Sequence, residues 1–117
     1  MNPEYLLPAL LIAYAAWRGM AILRVRRRVP ALLAGGAQIV DVRTREEFAA
    51  EHATGSINIP LNELPARVHE LDPARSVVVC CASGMRSSAA ARILRSGKFP
   101  QVCNAGSWRL LPRPRAR

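Results

Sequence analysis

The sequence predicts an α/β domain, a small parallel sheet flanked by helices, with an N-terminal transmembrane helix ahead of it. Three observations lead there. Short apolar runs at strand length alternate with segments at helical spacing between Gln38 and Cys103, the pattern of a parallel sheet covered by helices. The run Val77-Val78-Val79-Cys80 has no polar break, as a strand buried on both faces requires, and it empties through Cys81-Ala82-Ser83-Gly84 onto an alanine-rich helix. The stretch from Tyr5 to Leu23, about 19 residues, would rise roughly 28 Å as a helix, enough to cross a hydrocarbon core.

The chain's 117 residues hold one small domain and one appendage. Lysine and arginine number 17 against 8 aspartate and glutamate, a formal net charge of +9 that draws the chain to anionic surfaces. Most of that excess lies at the two ends, and no basic face interleaved with aromatics argues for nucleic acid as a partner. The 3 cysteines form no CxxC pair, and their odd number argues against a disulfide framework, so reduced thiols are expected. His52 and His69 have no partners at metal-ligand spacing, and no phosphate-loop or dinucleotide signature occurs; neither a metal nor a cofactor is expected.

Residues 1–28 read as a membrane anchor and its basic flank. Arg18 interrupts the apolar run but lies near Arg24, Arg26, Arg27 and Arg28, close enough to snorkel to one interface, where Tyr14 and Trp17 suit an aromatic belt. The positive-inside rule then places the amino terminus outside and the domain in the cytoplasm, as a single-pass protein of the cell inner membrane. A helix lying on the membrane surface and a cleaved signal are the other readings of the same stretch; the signal lacks the positive charge expected before its apolar core.

Residues 29–111 read as the domain. Val29 to Gly36 predicts a short helix with Pro30 at its start and glycine past its end. Gln38 to Val42 follows as a strand, and Thr44-Arg45-Glu46-Glu47 is a capping box for the next helix, in which Phe48 turns to the core. Ser56 to Pro60 reads as a strand ended by proline. Leu64, Val68 and Leu71 make one face of a helix across Leu61 to Leu71, and Asp72-Pro73-Ala74-Arg75 is a turn. After the central strand, Ala90, Ile93, Leu94 and Gly97 share one helix face, and Val102-Cys103 is a short last strand. Arg109 to Arg117, with two prolines and four arginines, reads as unable to pack, and 112–117 as a disordered basic tail.

The loop after the central strand carries the chemistry. Successive amides, a glycine and a helix start near Arg86 form a concavity that stabilises an anion. Cys81, at the first position of that loop, supplies a thiolate there, with amides, helix dipole and Arg86 all expected to lower its pKa. Neighbouring residues at a strand's end point to opposite faces, so Cys80 and Cys81 cannot both enter the concavity.

CASGMRSS after the valine run, DVRTREEF and HATGSINIP upstream and a Gly-Ser-Trp near the end together resemble a single rhodanese domain, of the sulfurtransferase family, across roughly Val29 to Leu111. The resemblance implies that Cys81 takes a sulfane sulfur as a persulfide and passes it to a thiol or cyanide acceptor. It assigns substrate binding to Ala82, Ser83, Gly84, Met85 and Arg86, and makes Asp41 and Arg43 braces of the fold beside the loop. Partners would be a small-molecule or protein sulfur donor, a matching acceptor and, through the first helix, a membrane. Ala105 stands where the family usually has a second glycine. Ala82 and Ser83 are neutral where members that use thiosulfate often carry a cation in the loop, which leaves low-molecular-weight or protein persulfides open as donors. Two other readings remain: a non-catalytic rhodanese-like binding module at the membrane, and a cysteine-dependent phosphatase counted from Cys80, with five residues between it and Arg86.

Overall fold

The computed structural model describes residues 2–112. After a 3-10 turn over Pro3–Tyr5, the first helix, α1, runs without a break over Leu6–Ala34. The short helix expected to begin afresh at Val29 is its continuation, with Pro30 inside it. An internal proline forfeits a hydrogen bond and crowds the preceding turn, at about 3 kcal/mol. Burial offsets that cost: Val29 is in the core, and Val25, Leu32 and Leu33 pack against it. Gly36 ends the helix at φ 91°; its amide donates to Leu33 O and that of Ala37 to Leu32 O, a Schellman closure that only a left-handed residue completes.

Four strands form one parallel sheet in the order β2-β1-β3-β4: β1 Gln38–Asp41, β2 Ile57–Asn58, β3 Val77–Cys81 and β4 Val102–Ser107. The helix α2 covers Arg45–Ala50, α3 Leu64–Arg67 and α4 Met85–Arg95. Side-chain alternation along β3 divides the core in two. Val77, Val79 and Cys81 pack with Leu64, Ala90, Ala91 and Leu94 under α3 and α4. Val78 and Cys80 pack with Cys103, Trp108, Leu111 and Val29 under α1. The second half of α1 is therefore one of the layers that covers the sheet, and the expected boundary between 28 and 29 falls inside it.

Several elements differ from expectation for local reasons. β2 is only two residues long, although the amides of Ile59 and Leu61 continue towards β1, donating to Asp41 O and Val42 O. Leu61 to Leu71 is no single helix: 3-10 turns over Leu61–Glu63 and Val68–Glu70 flank a four-residue α3 whose second position is Pro65, where the missing amide tightens the entry. β4 runs through the expected glycine turn to Ser107. Its register with β3 slips between Val79 and Cys80, so that Asn104 pairs with Val79 and Gly106 with Cys80, leaving Ala105 as the bulge residue. Beyond it the chain packs: Trp108 and Leu111 are buried, and Thr54 donates its amide to Pro112 O at 2.8 Å. Of the expected tail, 113–117 lies outside the described residues.

Eleven large apolar or aromatic side chains between Tyr5 and Leu23 face outwards, and α1 is long and apolar enough to cross a membrane. Because only its second half covers the sheet, a chain beginning at Arg24 is expected to unfold cooperatively in urea. One beginning at Gly35 is expected to lose the cooperative transition, followed by circular dichroism.

Candidate active site

The central strand runs through Cys81, one residue further than its sequence expectation, and α4 starts only four residues later. A reversal that tight needs a left-handed residue, and Gly84 supplies it at φ 104°. A Cβ at Gly84 would also meet Gly106 Cα at 3.3 Å, so the bulge in β4 and the loop fit against one another.

The turn aims hydrogen-bond donors at Cys81 Sγ. Gly84 N–H lies 2.9 Å away and Ser87 N–H 3.4 Å, while Ser87 Oγ stands 3.4 Å from the sulfur. Burial raises the thiol pKa, but the Ser87 hydroxyl and the amides of Ser87, Gly84 and Ser83 outweigh it, leaving Cys81 below its ordinary value. The other two thiols go the opposite way. Burial, helped by the charge of Asp41, pushes Cys80 far up, and burial raises Cys103. Cys81 is buried at the floor of the loop, whose rim carries exposed Ser83 and Met85.

Ser87 and Asn104 are the members that sequence reasoning missed. Ser87 Oγ is 2.7 Å from Asn104 Oδ1 and 3.1 Å from Gly84 O, and a hydroxyl has one proton to give. With a neutral thiol, Cys81 donates to Ser87 and Ser87 to Asn104. With a thiolate, the hydroxyl must turn to the sulfur. Asn104 Oδ1 tolerates the loss because it also accepts from Gly106 N–H at 2.9 Å, and Asn104 Nδ2 stays tied to Ser88 Oγ. The available signal was a hydroxyl one turn into the helix, on the face that meets the sheet.

Arg86 stands apart from the sulfur. Its guanidinium grips both oxygens of Glu47, at 2.6 and 3.0 Å, and that contact first, then Thr44 N–H, holds the Glu47 carboxyl down at about 2. Glu47 is the N3 residue of the expected capping box, which forms as read, so Arg86 ties α4 to the start of α2. The main lowering of the thiol pKa comes from Ser87 and the amides, and Arg86 adds a charge interaction with Cys81 that ranks behind its own contact with Glu47. Asp41 and Arg43 are buried and joined by Nε and Nη2 contacts of 2.8 to 3.0 Å; Arg43 Nη2 also donates to Glu51 O, and its guanidinium lies 4.7 Å from the centre of the Trp108 ring. The pair braces β1 to α2 and to the last turn. His52 stacks on Phe48 and bonds to Phe48 O, a packing role. No cluster of three metal-ligating side chains occurs among the described residues.

Residues 27–109 match the family described as the rhodanese-like domain. The chain is 35% identical over 80 residues to the thiosulfate sulfurtransferase PspE of Escherichia coli, covering 67% of this chain and 77% of that one. It spans only 36% and 54% of the Bacillus subtilis relatives YrkF and YqhL. Among solved structures, a rhodanese with anions from E. coli superposes with a TM-score of 0.62 at 33% identity, over 70% of this chain and 99% of that one.

If the Ser87 hydroxyl supports the thiolate, Ser87→Ala is expected to displace the pH profile of Cys81 alkylation by iodoacetamide to higher pH. Its urea midpoint should move little, because Asn104 keeps its other partners. An unchanged profile would show that the amides suffice.

Proposed function

Because the chain belongs to the rhodanese-like domain family, we propose that it is a membrane-tethered sulfurtransferase whose Cys81 carries a sulfane sulfur as a persulfide. One observation carries the reading: of the three cysteines, only Cys81 is held below its ordinary pKa, by amides gathered at the carboxyl end of the central strand. In the first step the Cys81 thiolate attacks the terminal sulfane sulfur of the donor. A new S–S bond forms, the donor's own S–S bond breaks, and its electron pair leaves with the rest of the donor. In the second step a thiolate or cyanide attacks the outer sulfur, and Cys81 departs as the thiolate it began as.

The thiolate form needs no general base, and the lowered Cys81 pKa favours that form. The backbone from Ala82 through Ser83, Gly84 and Met85 to Arg86 binds the outer sulfur by its amides, with the Arg86 side chain fixing α4 through Glu47. Asp41 and Arg43 hold the strand beside it. The loop has no unpaired cation, which favours persulfides over bare thiosulfate as donors. A phosphatase counted from Cys80 would need an ionised nucleophile on the face where Cys80 is buried with its thiol pKa pushed up.

For the membrane, the proposal is a single span within 1–28, the amino terminus outside and domain 29–111 in the cytoplasm beside the inner membrane. The outward apolar side chains of α1 and the arginines that follow them support it. The full chain should then resist alkaline carbonate extraction, and a reporter fused after Arg117 should behave as cytoplasmic; release into the soluble fraction would remove the anchor.

The sulfur chemistry is tested by incubating the full chain with a small-molecule persulfide and following intact mass. A single added sulfur, lost again to cyanide, is expected in the wild type and absent in Cys81→Ser. Cys80→Ala should keep the transfer and lose about 1 kcal/mol of stability, because a small buried side chain is removed. Loss of all transfer in Cys80→Ala, with Cys81→Ser still hydrolysing an aryl phosphate, would replace the sulfurtransferase reading by the phosphatase one.

A further inference from the structure

The exposed half of α1 passes beside the catalytic loop. Between them lies a cavity of about 440 Å³ whose walls include Trp17, Arg18 and Ile22 from the helix and Ser83, Ser107 and Leu110 from the domain. Its domain wall belongs to the sulfur site: Ser83 lies in the loop, two residues from Cys81 and so within about 7 Å of chain, and Ser107 is the register partner of Cys81 across β3 and β4. Its helix wall belongs to the level at which a membrane interface would fall, an aromatic ring and an arginine on an otherwise apolar segment.

The charges complete the picture. Arg86, the cation nearest the loop in sequence, is neutralised by Glu47. Arg18 makes no ion pair among the described residues; its guanidinium only overhangs the Tyr14 ring at 6.0 Å. The loop's own cation is thus taken up by Glu47, and α1 brings a second one to the edge of the same cavity, among apolar wall residues.

We propose that this cavity is the donor site and that its donor is amphipathic: an apolar body seated against Trp17, Ile22 and Leu110, and an anionic sulfane sulfur drawn towards Ser83 by Arg18. The inference rests on the sulfurtransferase reading and names its substrate class. Such a donor partitions into the bilayer and reaches the loop along the helix, so the anchor acts in substrate recognition as well as attachment. For a thiosulfonate donor, the Cys81 thiolate attacks the terminal sulfur and the bond between the two sulfurs breaks. The pair leaves on the sulfinate, and the persulfide anion remains on Cys81, two negative charges before and two after.

Methanethiosulfonate and benzenethiosulfonate carry the same reacting group on small and large apolar bodies, which makes them the probes. With the full chain in phosphatidylcholine nanodiscs, and thiocyanate formed from cyanide as the readout, KM for the benzene compound is expected about tenfold below that for the methane compound. Trp17→Ala with Ile22→Ala should bring that ratio towards one, whereas partition into the bilayer is common to wild type and variant. Leu110→Ala, on the domain wall, should shift the ratio in the same direction and serves if the double variant does not insert. Arg18→Gln should raise KM for both probes by a similar factor with kcat retained, and Arg18→Lys should restore it. A wild-type ratio near one, a ratio unmoved in the variants, or KM indifferent to Arg18→Gln would overturn the donor site while leaving sulfur transfer intact. If neither probe adds sulfur to Cys81 while a small-molecule persulfide does, the donor site falls and sulfur transfer stands; if the persulfide adds none either, the sulfurtransferase reading fails and takes the donor site with it.

Discussion

A parallel sheet has no face that tolerates water, and this one obtains its second cover from the same helix that projects from the domain. Val29, with Leu32 and Leu33 beside it, lies against Val78, Cys80, Cys103 and Trp108, and the packing is strong enough to carry α1 through Pro30. The covering layer and the apolar half of the helix are one continuous helix. Wherever the exposed half is held, the sheet and the loop at its carboxyl end are held with it. A flexible linker between anchor and domain would have left the loop's orientation free; a continuous helix sets it.

The alternation that divides the core also divides the cysteines. Adjacent in sequence, Cys80 and Cys81 enter opposite layers, and the chemistry of each follows from what it meets there. Cys80 meets apolar side chains and the negative charge of Asp41, and both disfavour a thiolate. Cys81 meets the amides of Ser83, Gly84 and Ser87 and the Ser87 hydroxyl, which favour one against the same burial. The Ser87 hydroxyl and dipoles fixed by backbone geometry supply most of this, while Arg86, paired with Glu47, serves as a strut between α4 and α2. The bulge in β4 belongs to the same device. It brings Gly106 under Gly84, and Asn104, through its hydrogen bonds to Ser87 and Ser88, anchors the start of α4 to the sheet.

Sequence by itself determined what depends on local periodicity and residue chemistry. The unbroken valine run required a buried central strand, Thr44 with Glu47 required a capped helix, and a glycine-containing loop between a strand and an alanine-rich helix gathered amides around Cys81. The opposite facing of Cys80 and Cys81 follows from the pleat alone. Tertiary structure decided whatever depends on partners distant in the chain. Whether Pro30 breaks a helix turns on burial against β3 and β4, and whether Arg86 faces the sulfur turns on Glu47, 39 residues away. That Ser87 and Asn104 share a hydrogen bond depends on a one-residue slip between β3 and β4, and that Trp108 and Leu111 pack depends on the layer α1 provides. Local propensities are weak beside the free energy of burying a side chain or satisfying a buried donor, and those contacts exist only once the sheet is assembled.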